Sequence, residues 1–416
     1  MTASEQLAQF AAGSKALPKL CREYKKERAT VHLKELVGGA LSFYAAAAVA
    51  KTGGVHIFVA EDRDAAAYLL NDFYNLLDEK QVYFFPSSYK RSAAYGAEDA
   101  QGVVQRTAAM NAVRGFTKGY LVVCTYPEAL AERVVDAATL QRDTIAVKLG
   151  DKISIAVLED ALADANFTRV DFVYEPGQYS VRGGIVDVFS YSESKPYRID
   201  FFGDEVDSIR RFNISSQLSA DKLDRVEIIP NLNAGEAPRV SFVQFAGSSA
   251  ACWFYDADYV LRRVNDLRRK VLADMENPGQ IDRLLTSRNV LLRDMAGNSV
   301  VALRDNLPER PATAAVVFDT APQPKFNKNF EMLADDMIRN SLRGYATYIL
   351  SENKVQVERL ENIFHQIGRG QAAVRSLSVT LHEGFVDNDL KLCLYTDHQI
   401  FDRYQRYRIN GEIRRD

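Results

Sequence analysis

The stretch LVGGALSFYAAAA, from Leu36 to Ala48, is the candidate for a phosphate-binding loop. A Walker A loop needs GxxxxGK[ST], with the lysine on the phosphates and the hydroxyl on magnesium. Counted from Gly38, the GK[ST] slot holds Phe43-Tyr44-Ala45; counted from Gly39, it holds Tyr44-Ala45-Ala46. Neither register supplies a cation. The Lys51-Thr52 pair comes later and lacks the glycine before it. Gly38 and Gly39 therefore read as glycines of tight helix–sheet packing rather than of a nucleotide site.

The other chemistry-bearing residues form no constellation. His32, His56, His365, His382 and His398 are scattered without HxxxH or HExxH spacing, so no metal site is expected. Glu61-Asp62 and the Asp256/Asp258 pair are acids of the kind any surface carries, and structural roles outweigh general acid–base work for them. There is no GxSxG, and no cysteine has a nearby histidine to activate it. The chain reads as having no catalytic residues of its own.

A different signal lies in VRGGIVDVFSYSESKPYRIDFFGDEVDSIRRFN, from Val181 to Asn213. Side chains alternate along a strand. Along PYRIDFF, Tyr197, Ile199 and Phe201 suit a core, which turns Arg198, Asp200 and Phe202 outward. An aromatic among charges on one strand face resembles the centre of a protein–protein interface, where arginine and aromatics are enriched. Gly203-Asp204 signals a turn, with EVDSIRRF returning as the partner strand in a register left open. Gly183-Gly184 suggests a bend or bulge that aims Arg182 at the same surface. Two other readings stay open at this point. Phe202 is buried under a neighbouring domain with the arginines paired to local acids, or Arg182, Arg198, Arg210 and Arg211 bind duplex phosphate. The second is weakened by Asp200, Asp204, Glu205 and Asp207, which cancel their field.

The elements that must position these residues follow from length and pattern. At 416 residues, two to four domains are expected, and 47% hydrophobic with 26% charged residues is an ordinary globular balance. A net charge of -3 gives no general pull toward nucleic acid or membrane. Four well-separated cysteines without a CxxC pair argue against zinc modules and secreted disulfide scaffolds and fit a reducing cytoplasm. The N-terminus has no signal-peptide pattern, and the alanine-rich run Ala40 to Ala50 is too short to span a bilayer.

The first 130 residues alternate helix and strand, with VHIFVAED, VYFFP and GYLVVCT as buried parallel strands. From about 143 the pieces are β-patterned and joined by Gly, Pro and Ser turns, with one short helix at LEDALADANF. ACWFYDADYVLRRVNDLRRKVLADM reads as one helical segment, and PERPATAAVVFDTAPQPKFN, with four prolines, as an irregular boundary near 325. The remainder, with ATYILS, SLSVTLHEGF and LKLCLYTD as strands, reads as a compact α/β domain of its own.

The central block YEPGQYSVRGGIVDVFSYSESKPYRIDFFGDEVDSIRRFN is similar to the "GE[YF]xxRGxxxDxFP…PxRIDFFxDEIDSIRxFD" block of the bacterial transcription-repair coupling factor family, shared in looser form with the excision-repair protein UvrB. Weaker matches are the GG-containing first helix, FFPSSYKRSAAYGAEDAQGVVQR and LCLYTDHQIFDRYQRYR, and Ser190 departs from the family's proline. The resemblance implies an α/β protein: a parallel-sheet domain with a degenerate nucleotide-binding fold (1–142 and 230–325), an inserted α+β UvrA-binding domain (143–229) and a small α/β domain (326–416). It implies a decayed phosphate loop at Gly38, Gly39, Phe43 and Tyr44, and no cofactor for this region. It implies a UvrA-binding face at Arg182, Arg198 and Phe202, to which we add Asp200 as a residue that orients the arginines or pairs with a partner cation. It further implies an N-terminal part of a longer protein. In that protein, missing domains bind RNA polymerase and DNA and form an ATP- and magnesium-dependent translocase.

Overall fold

The structure is a computed structural model, and it describes residues 1–89 and 98–409. Part of FFPSSYKRSAAYGAEDAQGVVQR and the terminal NGEIRRD lie outside the described residues.

Seven parallel strands form the largest sheet, in the order Ala314–Val317, Thr30–Lys34, Val300–Ala302, Ala251–Phe254, Gly54–Val59, Tyr120–Thr125, Val82–Phe84. The fold class is the mixed α/β one that the alternating pattern implies. Strands from both ends of a long insertion meet in one sheet, since Ala251–Phe254 pairs with Gly54–Val59. Gly54–Val59 and Tyr120–Thr125 are buried at nearly every position, as strands with helices on both faces must be.

Two expectations are corrected here. ACWF is not the start of a helix but the fully buried strand Ala251–Phe254; the helix begins at Ala257, capped by the Asp256 carboxylate accepting from Tyr259 N–H at 2.9 Å. The four-proline stretch is not irregular throughout. It carries the edge strands Ala314–Val317 and Thr320–Pro322, and a proline at the end of an edge strand removes no ladder bond the sheet needs.

The inserted segment forms a six-stranded sheet in the order Ser219–Leu223, Glu205–Phe212, Tyr197–Phe202, Ile185–Val188, Gln178–Arg182, Thr168–Arg169. VDFVY contributes no strand. The helix Ile155–Asp164 covers the inner face, where Leu158, Leu162, Val186, Val188, Tyr197 and Ile199 make a separate core. Ser190, the departure from the family pattern, is fully buried and its hydroxyl accepts from the Ile229 and Ser192 amides at 2.9 and 3.3 Å.

The C-terminal region forms a mixed five-stranded sheet, Thr320–Pro322, Phe385–Asp387, Leu392–Thr396, Ala346–Leu350, Ser376–Leu377. SLSVTLHEGF is a strand only at Ser376–Leu377, with the chain re-entering the sheet at Phe385. This region is not packed on itself alone. Along Leu392–Thr396 every residue is buried; Leu392 and Leu394 join the large core, while Cys393 and Tyr395 join a smaller one under the helices Phe330–Leu342 and Lys354–Gln366. Period-two alternation thus fastens one strand to two cores.

Candidate partner-binding face

Arg198 and Asp187 are direct cross-strand neighbours, and Ser180 faces Asp187 from the next strand. Two residues further along, Arg182 pairs with Ile185 and Ile185 with Asp200. The register therefore gathers Arg182, Asp187, Arg198 and Asp200 on one face. The Asp187 carboxylate accepts from Arg198 Nε at 2.8 Å, from a terminal Arg198 nitrogen at 2.9 Å, and from Arg182 at 2.9 Å. A fourth bond, from Arg198 to the Gln217 amide oxygen at 3.0 Å, anchors the guanidinium on its other side. The Asp187 hydrogen bonds and charge push the Arg198 pKa further up, so it stays charged at any working pH.

The guanidiniums also stack on rings: Arg182 lies 4.8 Å from the Phe172 centroid and Arg198 4.2 Å from that of Phe212. Asp200 turns to Arg210 at 3.2 Å and accepts from the Ser208 hydroxyl at 2.7 Å. Arg211 points elsewhere, to Glu193 and Asp221.

Gly203-Asp204 is a two-residue turn, since Phe202 pairs with Glu205. Between Asp200 and Phe201 the register shifts, which leaves Asp207 as an extra residue in the opposite strand and keeps the alternation of Tyr197–Phe202 intact. Phe201 is half-buried against the inserted core, and Phe202 faces outward with 82% of its surface exposed. The reading in which Phe202 is buried under a neighbour is thereby overturned. Its companion clause is correct, because the arginines do pair with local acids. The glycine pair is a second correction: Gly183-Gly184 is a two-residue hairpin turn joining Arg182 to Ile185, not a bulge, with Gly183 at φ 59°.

Sequence reasoning missed Asp187. The available signal was one aspartate inside the apolar strand IVDV, at a position the alternation turns outward.

The loop candidates lie elsewhere, at the start of the helix Ala40–Thr52. Gly38 adopts φ 58°, and a β-carbon there would lie 3.0 Å from the Gly384 carbonyl oxygen. A β-carbon on Gly39 would collide with the Glu383 carbonyl. Both glycines thus serve close packing, with the chain's own residues 383–384 lying against the helix N-terminus. Phe43 and Tyr44 are buried; Phe43 meets Phe385, and the Tyr44 hydroxyl donates to Asp387. Burial, then the neighbouring Asp387 carboxylate, raises the Tyr44 pKa.

A cavity of about 290 Å3 opens beside them at the C-terminal ends of the parallel strands, lined by Leu33, Phe58, Trp253 and Phe254 among others, with Glu61, Asp72 and Glu383 as its charged residues. Carboxylates there oppose phosphate. Asp72, fully buried, accepts from the Ser42 hydroxyl at 2.7 Å and from His382 N–H at 2.8 Å. Among the described residues no group of His, Cys, Asp or Glu could hold a metal ion, all four cysteines are buried and unpaired, and no helix is long and apolar enough to cross a membrane.

Comparison with known proteins bears on the face directly. Residues 145–233 match the family described as UvrB interaction domain. The matched stretch is the part of the chain that carries the inserted six-stranded sheet. Similar proteins include the transcription-repair-coupling factors of Bacillus subtilis (strain 168) and Escherichia coli (strain K12), each 27% identical over 199 residues, covering 48% of this chain and 17% of the relative. That of Haemophilus influenzae is 35% identical over 101 residues, 24% of this chain and 9% of the relative. The resemblance seen in the central block is borne out, and the matched stretch is less than a fifth of those relatives' length.

Proposed function

We propose that this chain is a docking platform that recruits the damage-recognition protein UvrA in transcription-coupled nucleotide excision repair. The face used is the one bearing Arg182, Arg198, Asp200 and Phe202. The observation that carries the reading is that two arginines and a solvent-exposed phenylalanine share one outward sheet face inside the UvrB interaction domain. An exposed ring beside partly desolvated guanidiniums has the composition of an interface centre and adds little to the fold. Asp200 acts indirectly, by holding Arg210 at the edge of the face.

On this reading the chain is not itself an enzyme and works in the cytoplasm. Gly38, Gly39, Phe43 and Tyr44 are a phosphate loop that has lost its ligand, and the packing of Glu383 against Gly39 supports this. Contacts with RNA polymerase and DNA, and ATP- and magnesium-dependent translocation, belong to other parts of a longer protein. Residues 1–142 and 230–325 are then two parts of one UvrB-like domain around the UvrA-binding insert 143–229, with 326–416 a third domain. A parallel sheet that draws strands from both flanks of the insert supports that division. Duplex phosphate is the other candidate ligand. It is disfavoured because Arg182, Arg198, Arg210 and Arg211 each already face a carboxylate.

The test is a titration with purified UvrA. Phe202→Ala alters an exposed side chain, so stability should change by no more than about 0.5 kcal/mol. Loss of an interface anchor costs about 2 kcal/mol or more, roughly thirtyfold in affinity. The Arg198→Ala, Phe202→Ala double variant should abolish binding. A folded double variant that binds as the wild type does refutes the reading.

A further inference from the structure

We infer that Asp187 is a positioning residue of the docking face, holding Arg182 and Arg198 in the one arrangement a partner meets. The inference rests on the reading above, since it concerns how that face is built. Asp187 is almost fully buried, with its side chain 3% exposed, whereas Arg182 and Arg198 reach the surface with 42% and 13% of theirs. One carboxylate takes three N–H bonds from two guanidiniums, and each guanidinium is backed on another side by a ring.

The neighbourhood makes this carboxylate decisive. Across the sheet, Lys222, Arg210 and Arg198 lie side by side in register, three cations in a row before Asp187. Arg210 is turned away to Asp200, so Arg198 is left with Asp187 and Gln217 as its anchors. Asp204, Glu205 and Asp207 stand exposed at or beside the hairpin tip next to Phe202. Without Asp187, Arg198 keeps only Gln217 as an anchor, with Arg210 and Lys222 as like charge on one side and Asp200, two residues along its own strand, as a competing acid, and both draw it out of place. Arginine side chains lose much rotamer freedom on immobilisation, and a face that fixes them beforehand spares the complex that loss.

Asp187→Asn keeps the shape, but its amide has a single acceptor oxygen and turns an N–H toward guanidinium N–H groups. Three readings of this variant test the inference. In the free protein, 15N relaxation at the Nε of Arg182 and Arg198 should show both side chains released. Affinity for UvrA should fall roughly tenfold. In an Arg198→Ala background the same change should have a much smaller effect.

A folded Asp187→Asn protein with unchanged arginine order and affinity overturns the inference, and so does an equal loss in the Arg198→Ala background, which would make Asp187 merely structural. Should the variant fail to fold, the wild-type protein decides: relaxation at the Nε of Arg182 and Arg198 should show both side chains as ordered as the amides of their strands, although Arg182 is 42% exposed. Freely mobile side chains in the wild type overturn the inference. If the wild type itself fails to bind UvrA, the recruitment reading falls, while the relaxation data still report whether Asp187 fixes the arginines.

Discussion

Asp72 gives the sharpest test of how the C-terminal region is joined to the main sheet. It sits on the helix Arg63–Leu76, accepts from Ser42 on the helix Ala40–Thr52, and accepts from the His382 amide of the C-terminal loop. Complete burial outweighs those two hydrogen bonds and pushes its pKa up from 3.8 to about 6. A raised folded pKa means the native state holds its proton more tightly than the unfolded chain. The associated stability is present below the unfolded value and is lost as pH rises through about 6.

The shift corresponds to about 3 kcal/mol at 1.36 kcal/mol per pKa unit. Asp72→Asn imitates the protonated acid, with one acceptor oxygen for the His382 N–H and an NH2 group turned to the Ser42 hydroxyl, but never ionises. Variant and wild type should therefore be similar in stability near pH 4, with the variant gaining about 2–3 kcal/mol relative to wild type by pH 7.5. Urea denaturation at a series of pH values, followed by fluorescence of the single tryptophan, measures the difference; Trp253 lies in the sheet that borders the same cavity. Parallel stability curves for the two proteins would refute the reasoning.

The remaining predictions use other parts of the molecule. His56 is buried with its Nδ1 accepting from the Trp253 indole at 3.0 Å and its Nε2–H donating to Gly53 O at 2.8 Å, and burial depresses its pKa from 6.5 to about 4. Its contribution is present above the unfolded value and lost as pH falls through about 4, so His56→Asn should lower the plateau and flatten the acid limb of a thermal melt. Gly39→Ala has no backbone conflict at φ -66°, yet its methyl meets the Glu383 carbonyl; a loss of about 1–3 kcal/mol and faster hydrogen exchange around residues 381–385 are expected. Equilibrium dialysis with ATP and magnesium should show no binding, and saturable binding would contradict the decayed-loop reading.

The elements legible in the sequence were those whose pattern had a single explanation. VHIFV and YLVVC are continuous apolar runs between turns, and Tyr197, Ile199 and Phe201 alternate cleanly with Arg198, Asp200 and Phe202. ACWF was not separable from the helix after it, because a four-residue apolar run carries no period of its own and Asp256, the capping residue that divides them, looked like part of an acidic pair. Asp187 was visible as a residue but not as an organiser. Its role depends on strands pairing in a particular register, which the turn at Gly183-Gly184 and the connection through residues 189–196 set and the local pattern does not state. The two-core role of Leu392–Thr396 was hidden for a related reason: alternating burial on both faces reads simply as a hydrophobic strand.

The packing of Glu383 and Gly384 against Gly38 and Gly39 has one more consequence. A diffusible ligand at a helix N-terminus stabilises its protein only in proportion to how far its concentration exceeds its dissociation constant. A loop that occupies that place as part of the same chain has a fixed effective concentration and is never diluted. The order of this helix is then independent of any diffusible ligand, and dilution of the protein leaves it unchanged.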